Sequence, residues 1–201
     1  FFDDEQVGMA HTIANLNNRT HVFMHSEHDI ALPPAFIVGN GPSLDKHIEF
    51  IKNHADDAII ISCGTALGSL AKMGIKPDFH VEIERNINVV QWIEHGTTPE
   101  FREGITLLCL NTVSPAVIEL FDEGCIARKP NDIGEGFLEN CISGRPVKCL
   151  ELCNPTVTNG ALSYAASMGF QAISLMGVDL GTGKDGQHHS NFSLYNDVEN
   201  V

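Results

Sequence analysis

The sequence predicts a doubly wound α/β domain, with a mostly parallel, Rossmann-like sheet and helices on both faces. Three observations carry that expectation. Short β-branched runs recur from Ala35 onward, longer amphipathic segments separate them, and Gly, Asn, Ser and Thr collect where the runs end, the place where such folds bind ligands. The expected strands are 35–39, 58–62, 79–83, 105–110, 147–151 and 171–176, with helices over 43–54, 64–73, 87–95, 114–121 and 156–168. Gly74 and Gly169 stand just past two of these helices as stop signals. Residues 1–32, polar and rich in Asn and His, read as a helical or irregular lead-in from an N-terminal flanking region, and 33–201 as the domain itself.

Composition narrows the function classes. The 201 residues hold 12 Lys+Arg against 26 Asp+Glu, a formal net charge of −14, with 43% hydrophobic residues. That balance excludes a simple nucleic-acid binder, which presents a basic face to phosphates, and disfavours an anionic membrane surface. No apolar stretch approaches the ~20 residues that span a bilayer, and the start lacks the pattern of a signal peptide, so the expectation is a cytoplasmic protein without membrane insertion. The chain opens on Phe and stops without a terminating signal, as a piece of a longer polypeptide would. Its six cysteines include no C-x-x-C pair and sit mostly within apolar runs, which favours reduced, buried thiols.

Chemistry concentrates at the ends of the expected strands. The first runs into Gly39-Asn40-Gly41-Pro42-Ser43-Leu44, a turn whose glycines permit close backbone approach to an anion. There Ser43 can cap the following helix and Asn40 offers donor and acceptor, although a tight turn with an ordinary cap accounts for the same residues. The second ends in Ser62-Cys63-Gly64-Thr65. Glu82 and Glu84 share one face of the third, where they are either solvated or, with Asp78, the only plausible carboxylate set for a divalent cation. Thr156, Thr158, Asn159 and Gly160 precede a small-residue helix, as an anion-binding end or a good cap. The last strand leads to Gly177-Val178-Asp179, a Gly-rich loop with Lys184, and His188-His189. An imidazole there serves as general base or neutralises phosphate, unless the pair is a solvent-exposed bystander. His21, His25 and His28 have helical spacing, but no carboxylate or thiolate nearby completes a metal signature.

Taken in order, Phe36 to Leu44, Gly64-Thr65-Ala66-Leu67, Gly74 to Phe79, Thr156 to Leu162 and Leu175 to Leu180 resemble the MptE-like domain at the centre of the motility accessory factors, the Maf proteins of flagellated bacteria, over about residues 33–192. The resemblance implies a sialyltransferase-like glycosyltransferase that moves a nonulosonic acid, pseudaminic or legionaminic acid, from a CMP-activated donor to Ser and Thr of flagellin. It implies donor contacts from Asn40, Gly41, Gly64, Thr65, Thr158, Asn159 and Gly160, and a later histidine as base, His189 before His188. Asn159 stands where the sialyltransferases have Ser, and Cys63-Gly64-Thr65 lacks their Asn. Two rivals share this domain type: an ATP- and magnesium-dependent 6-hydroxymethylpterin diphosphokinase, and a non-catalytic module holding flagellin or a sugar nucleotide. For the glycosyltransferase, a net charge of −14 requires backbone amides, Lys184 or a divalent cation to offset the acidic donor.

Overall fold

A computed structural model of the chain describes residues 2–17, 20–24, 31–141, 147–182 and 186–198. His25, His28 and Lys184 lie outside the described residues. In chain order the elements are α1 (Phe2–Asn17), β1 (Thr20–Val22), β2 (Ala35–Val38), α2 (Leu44–Asn53), β3 (Ile59–Cys63), α3 (Ala66–Met73), β4 (Phe79–Glu82), α4 (Asn88–Gly96) and α5 (Pro99–Arg102). They continue as β5 (Thr106–Leu110), α6 (Pro115–Ile118), β6 (Glu123–Ala127), α7 (Ile133–Cys141), α8 (Val157–Met168), β7 (Ile173–Met176) and α9 (Tyr195–Val198).

Among the described residues the strands form one seven-stranded sheet in the order β1-β6-β5-β4-β3-β2-β7, and every pairing is parallel. Alternate residues of its strands feed two cores. Phe36, Val38 and Ile60 pack with Leu44 and Ile51 of α2 and Leu70 of α3, whereas Ala35, Ile37 and Ile61 pack with Ala161, Tyr164 and Ala165 of α8. Helices therefore cover both faces, as the doubly wound expectation requires. Gly74 and Gly169 end α3 and α8 in left-handed conformation, at φ of 69° and 93°.

Three expectations change. The strand expected over 147–151 is absent, and Val147 and Cys149 make isolated bridges to Met24 and Arg128 instead. The sheet gains β6, whose Glu-Gly-Cys-Ile-Ala sequence has a single β-branched residue and is held by its neighbours β5 and β1 rather than by propensity. The expected helix 114–121 shortens to α6 behind Pro115. The segment before Pro33 supplies α1 and the edge strand β1, which carries His21 and pairs with β6. Asn15 of α1 donates to the Asn111 and Val113 carbonyls at 2.9 and 2.8 Å, so this segment joins the same body.

Candidate functional site

The carboxyl ends of β2, β3, β4 and β7 open into two adjoining cavities that share Thr65, Val157 and Tyr195. One, of about 520 Å³, is bounded by Gly39, Asn40 and Gly41, by Thr158, by Gly177 and Asp179, and by His188 and His189. The other, of about 530 Å³, lies between α3, α4 and the end of β4, with Gly64, Glu82, Glu84, Asn86, Trp92 and Thr156 on its wall. Turns far apart in the chain thus converge on one cleft, because parallel strands deliver all their carboxyl ends to the same edge of the sheet.

The glycines of the first turn serve protein packing. A Cβ on Gly39 would stand 2.5 Å from the Gly177 carbonyl oxygen, and one on Gly177, already at φ +66°, would press on the Gly39 carbonyl. A Cβ on Gly41 would collide with the Asp179 carboxylate. The close approach that the sequence assigns to an anionic ligand is made here between β2 and β7, through Gly39 N–H to the Met176 carbonyl and Gly41 N–H to the Gly177 carbonyl, both 2.8 Å.

Ser43 does not cap α2 with its side chain. Its N–H and its hydroxyl both donate to Asp179 Oδ2, at 3.0 and 2.9 Å, so a carboxylate of the chain already holds the N-terminus of α2. Asn40 is equally committed: Nδ2 donates to Thr65 Oγ1 at 3.0 Å and Ser193 Oγ at 2.9 Å, and Oδ1 accepts from Ser69 Oγ at 2.7 Å. It ties the first turn to α3 and to the segment before α9, and shapes the cavity rather than offering its amide to a ligand.

The N-terminus of α8 differs. Asn159 Oδ1 reaches back to Thr156, accepting from its hydroxyl at 2.7 Å and its N–H at 3.3 Å, so Asn159 works as a cap. Gly160 is buried, where a Cβ would stand 2.8 Å from Ile83, and it packs α8 on the sheet without lining either cavity. Thr156 and Thr158, hydroxyls 2.7 Å apart, line the two cavities, one on each. Among the described residues the first amides of α8, at Val157 and Thr158, have no protein partner, which leaves their positive end to the cleft.

An aromatic wall, which sequence reasoning misses, completes the site. His189 stacks on Tyr195 with centroids 4.3 Å apart, and Tyr195 lies 5.1 Å from Trp92, so a row of rings runs from one cavity to the other. The available signal is scarcity: the chain has one Trp and two Tyr. Among the described residues neither histidine of the pair makes a side-chain hydrogen bond through its ring, and the His189 carbonyl accepts from Gln187 Nε2 at 2.8 Å.

The carboxylates do not assemble as a cation site. Asp78 precedes β4 and accepts from the Ile60 N–H at 2.8 Å, at the opposite end of the strand from Glu84. Glu82 is buried against His80 at 3.2 Å, and Glu84 is exposed. Among the described residues no group of three or more His, Cys, Asp or Glu side chains is placed to hold a metal ion, so these residues do not fit one. Two thiols at the sheet are held protonated: burial, with Glu82 nearby, pushes the Cys63 thiol far up, and burial pushes Cys125 up to about 11. No helix is long and apolar enough to cross a membrane among the described residues.

Against known proteins, the family model described as 6-hydroxymethylpterin diphosphokinase MptE-like matches residues 10–185. The Maf glycosyltransferase from Magnetospirillum magneticum AMB-1 superposes with a TM-score of 0.80 at 35% identity, over 92% of this chain and 28% of that one. An uncharacterized protein of Treponema pallidum (strain Nichols) is 44% identical over 63 residues, 31% of this chain and 28% of that protein. The alignments thus take in less than a third of the length of either relative. With its parallel sheet, its cleft at the strand ends and a family match across most of its length, the chain belongs to the MptE-like family.

Proposed function

We propose that this chain is the donor-binding and catalytic part of a cytoplasmic glycosyltransferase that moves a nonulosonic acid, pseudaminic or legionaminic acid, from a CMP-activated donor to Ser and Thr hydroxyls of flagellin. The observation that carries the reading is the 35% identity and TM-score of 0.80 to a Maf glycosyltransferase, over a fold whose cleft gathers residues from both ends of the motif set. The nucleotide phosphate lies at the first turn of α8, near Thr158 and the free amides, with His188 and His189 facing it from the other side. Among the described residues lining the two cavities there is no Lys or Arg. Amide dipoles of α8 and the two imidazoles are the groups among the described residues that meet the departing phosphate, a way for an acidic chain to take an acidic donor.

The family description favours a second reading, diphosphate transfer from ATP to 6-hydroxymethylpterin. Thermal stabilisation by CMP, CTP, ATP and 6-hydroxymethylpterin separates the two. CMP at about a hundredfold excess over its dissociation constant is expected to stabilise the fold by about 2.7 kcal/mol. A shift with ATP plus the pterin and none with CMP overturns the glycosyltransferase reading. Full CMP binding without sugar transfer to flagellin marks a binding module instead.

A further inference from the structure

The two cavities differ in charge, and the difference assigns them different halves of a transfer reaction. The α8 amides and the histidine pair suit the first cavity to an anion, and its carboxylate Asp179 is already bound to Ser43. The second carries two carboxylates, Glu82 and Glu84, beside Asn86 and Trp92, which repels phosphate and suits a neutral, hydroxyl-bearing group. Glu82 is distinctive within it. Its residue is 4% exposed, yet it lines the cavity, with Oε1 3.2 Å from His80 Nε2. His80 is itself fully buried, stacked on Phe121, with Nδ1 2.9 Å from Ser62 Oγ. Both nitrogens of the ring are thereby engaged, Nδ1 with the Ser62 hydroxyl, which also donates to the Phe79 carbonyl at 3.2 Å, and Nε2 with Glu82. Among the described residues Oε2 of Glu82 has no protein partner.

We propose that the cavity between α3, α4 and the end of β4 is the acceptor subsite, and that Glu82 is the general base for the acceptor hydroxyl, with His80 as its positioning residue. This inference rests on the glycosyltransferase reading and deepens it. In the step, the acceptor oxygen forms a bond to the anomeric carbon and its proton passes to Glu82. The bond from that carbon to the phosphate oxygen breaks, and CMP leaves with the electron pair. The carboxylate stands in the cavity next to the donor's, across the shared Thr65 and Tyr195, and His188 and His189 are left to the phosphate.

The test uses the full-length protein with a CMP-nonulosonic acid donor and flagellin, comparing the parent with Glu82→Gln and Glu82→Ala. Turnover by Glu82→Gln is expected to fall about a hundredfold or more, with KM for the donor and the CMP-induced melting shift unchanged, and added formate to restore part of the turnover of Glu82→Ala. His80→Asn is expected to slow turnover about tenfold and leave the CMP shift in place. Transfer by Glu82→Gln at a rate close to the parent's overturns the proposal. So does loss of the CMP shift together with transfer, which would make Glu82 a structural residue. A parent protein that shows neither a CMP shift nor transfer overturns the underlying reading and this proposal with it.

Discussion

The N-termini of α2 and α8 look alike in sequence: each follows a turn of Gly, Asn, Ser or Thr, and each has the makings of an anion seat. In the fold they part company. Asp179, from the far side of β7, occupies the N-terminus of α2 through the Ser43 N–H and hydroxyl. The first amides of α8 face the cleft, with Asn159 tending Thr156 from within the helix. A helix dipole is thus available only where no carboxylate of the chain has been brought to it, and the same local pattern builds a structural joint in one place and an open edge of the cleft in the other.

The strongest test of the structural joint is Gly177→Ala. At φ +66°, with its new Cβ against the Gly39 carbonyl, it is expected to cost roughly 3 to 5 kcal/mol in chemical denaturation. A change below about 1 kcal/mol would mean that the β2 and β7 exits are not locked together. Asn40→Ala should cost about 2 kcal/mol, since it removes the links to Thr65, Ser193 and Ser69. Any weakening of CMP binding in that variant is expected to scale with the lost stability.

A pair of variants probes the two helix ends directly. Thr158→Ala is expected to weaken CMP about tenfold, or about 1.4 kcal/mol, at near-parent stability, and Asp179→Ala to cost about 1 kcal/mol of stability with little change in CMP affinity. The reverse pattern in titration calorimetry would move the phosphate to α2. His189→Ala should lower flagellin modification and leave nucleotide binding measurable, and equal activity would remove His189 from the reaction.

The smallest effect concerns Cys63, which lines the cavity beside Asn40 and Thr158 but is held protonated by burial and by Glu82. Mass spectrometry after iodoacetamide at about pH 8 should find it unmodified in the folded protein. Because the native state raises this thiol and Cys125 above the ordinary 9.0, the unfolded chain loses protons first as pH rises. These thiols therefore leave stability unchanged below about pH 9 and lower it above, through the window up to about 11 where Cys125 titrates.

Much of the fold is legible in the sequence because its signals are local. The β-branched runs of β2 and β3, the continuous apolar run of β5 and the left-handed glycines Gly74 and Gly169 are written within a few residues of where they act. β6 is illegible because a strand buried between two others needs no propensity of its own, and the segment 147–151 misleads because Val and Leu do not make a strand without a partner along their length. Of the site, the positions are legible and the roles are not. Asn40, Thr65 and Thr158 all reach the cleft, whereas Tyr195 and Trp92 beside them, and Ser193 bound to Asn40, carry no motif to mark them.

The amino-acid order by itself determined the class of fold, the gathering of Gly, Asn, Ser and Thr at the carboxyl ends of its strands, and a net charge of −14. Only the tertiary structure decided which helix N-terminus is open, because Asp179 lies 136 residues from Ser43 and no local pattern records their meeting. It likewise separated Asp78 from Glu84 and set Glu82 against His80, since charges act through distance in space and a strand carries its ends apart as surely as a turn brings distant segments together.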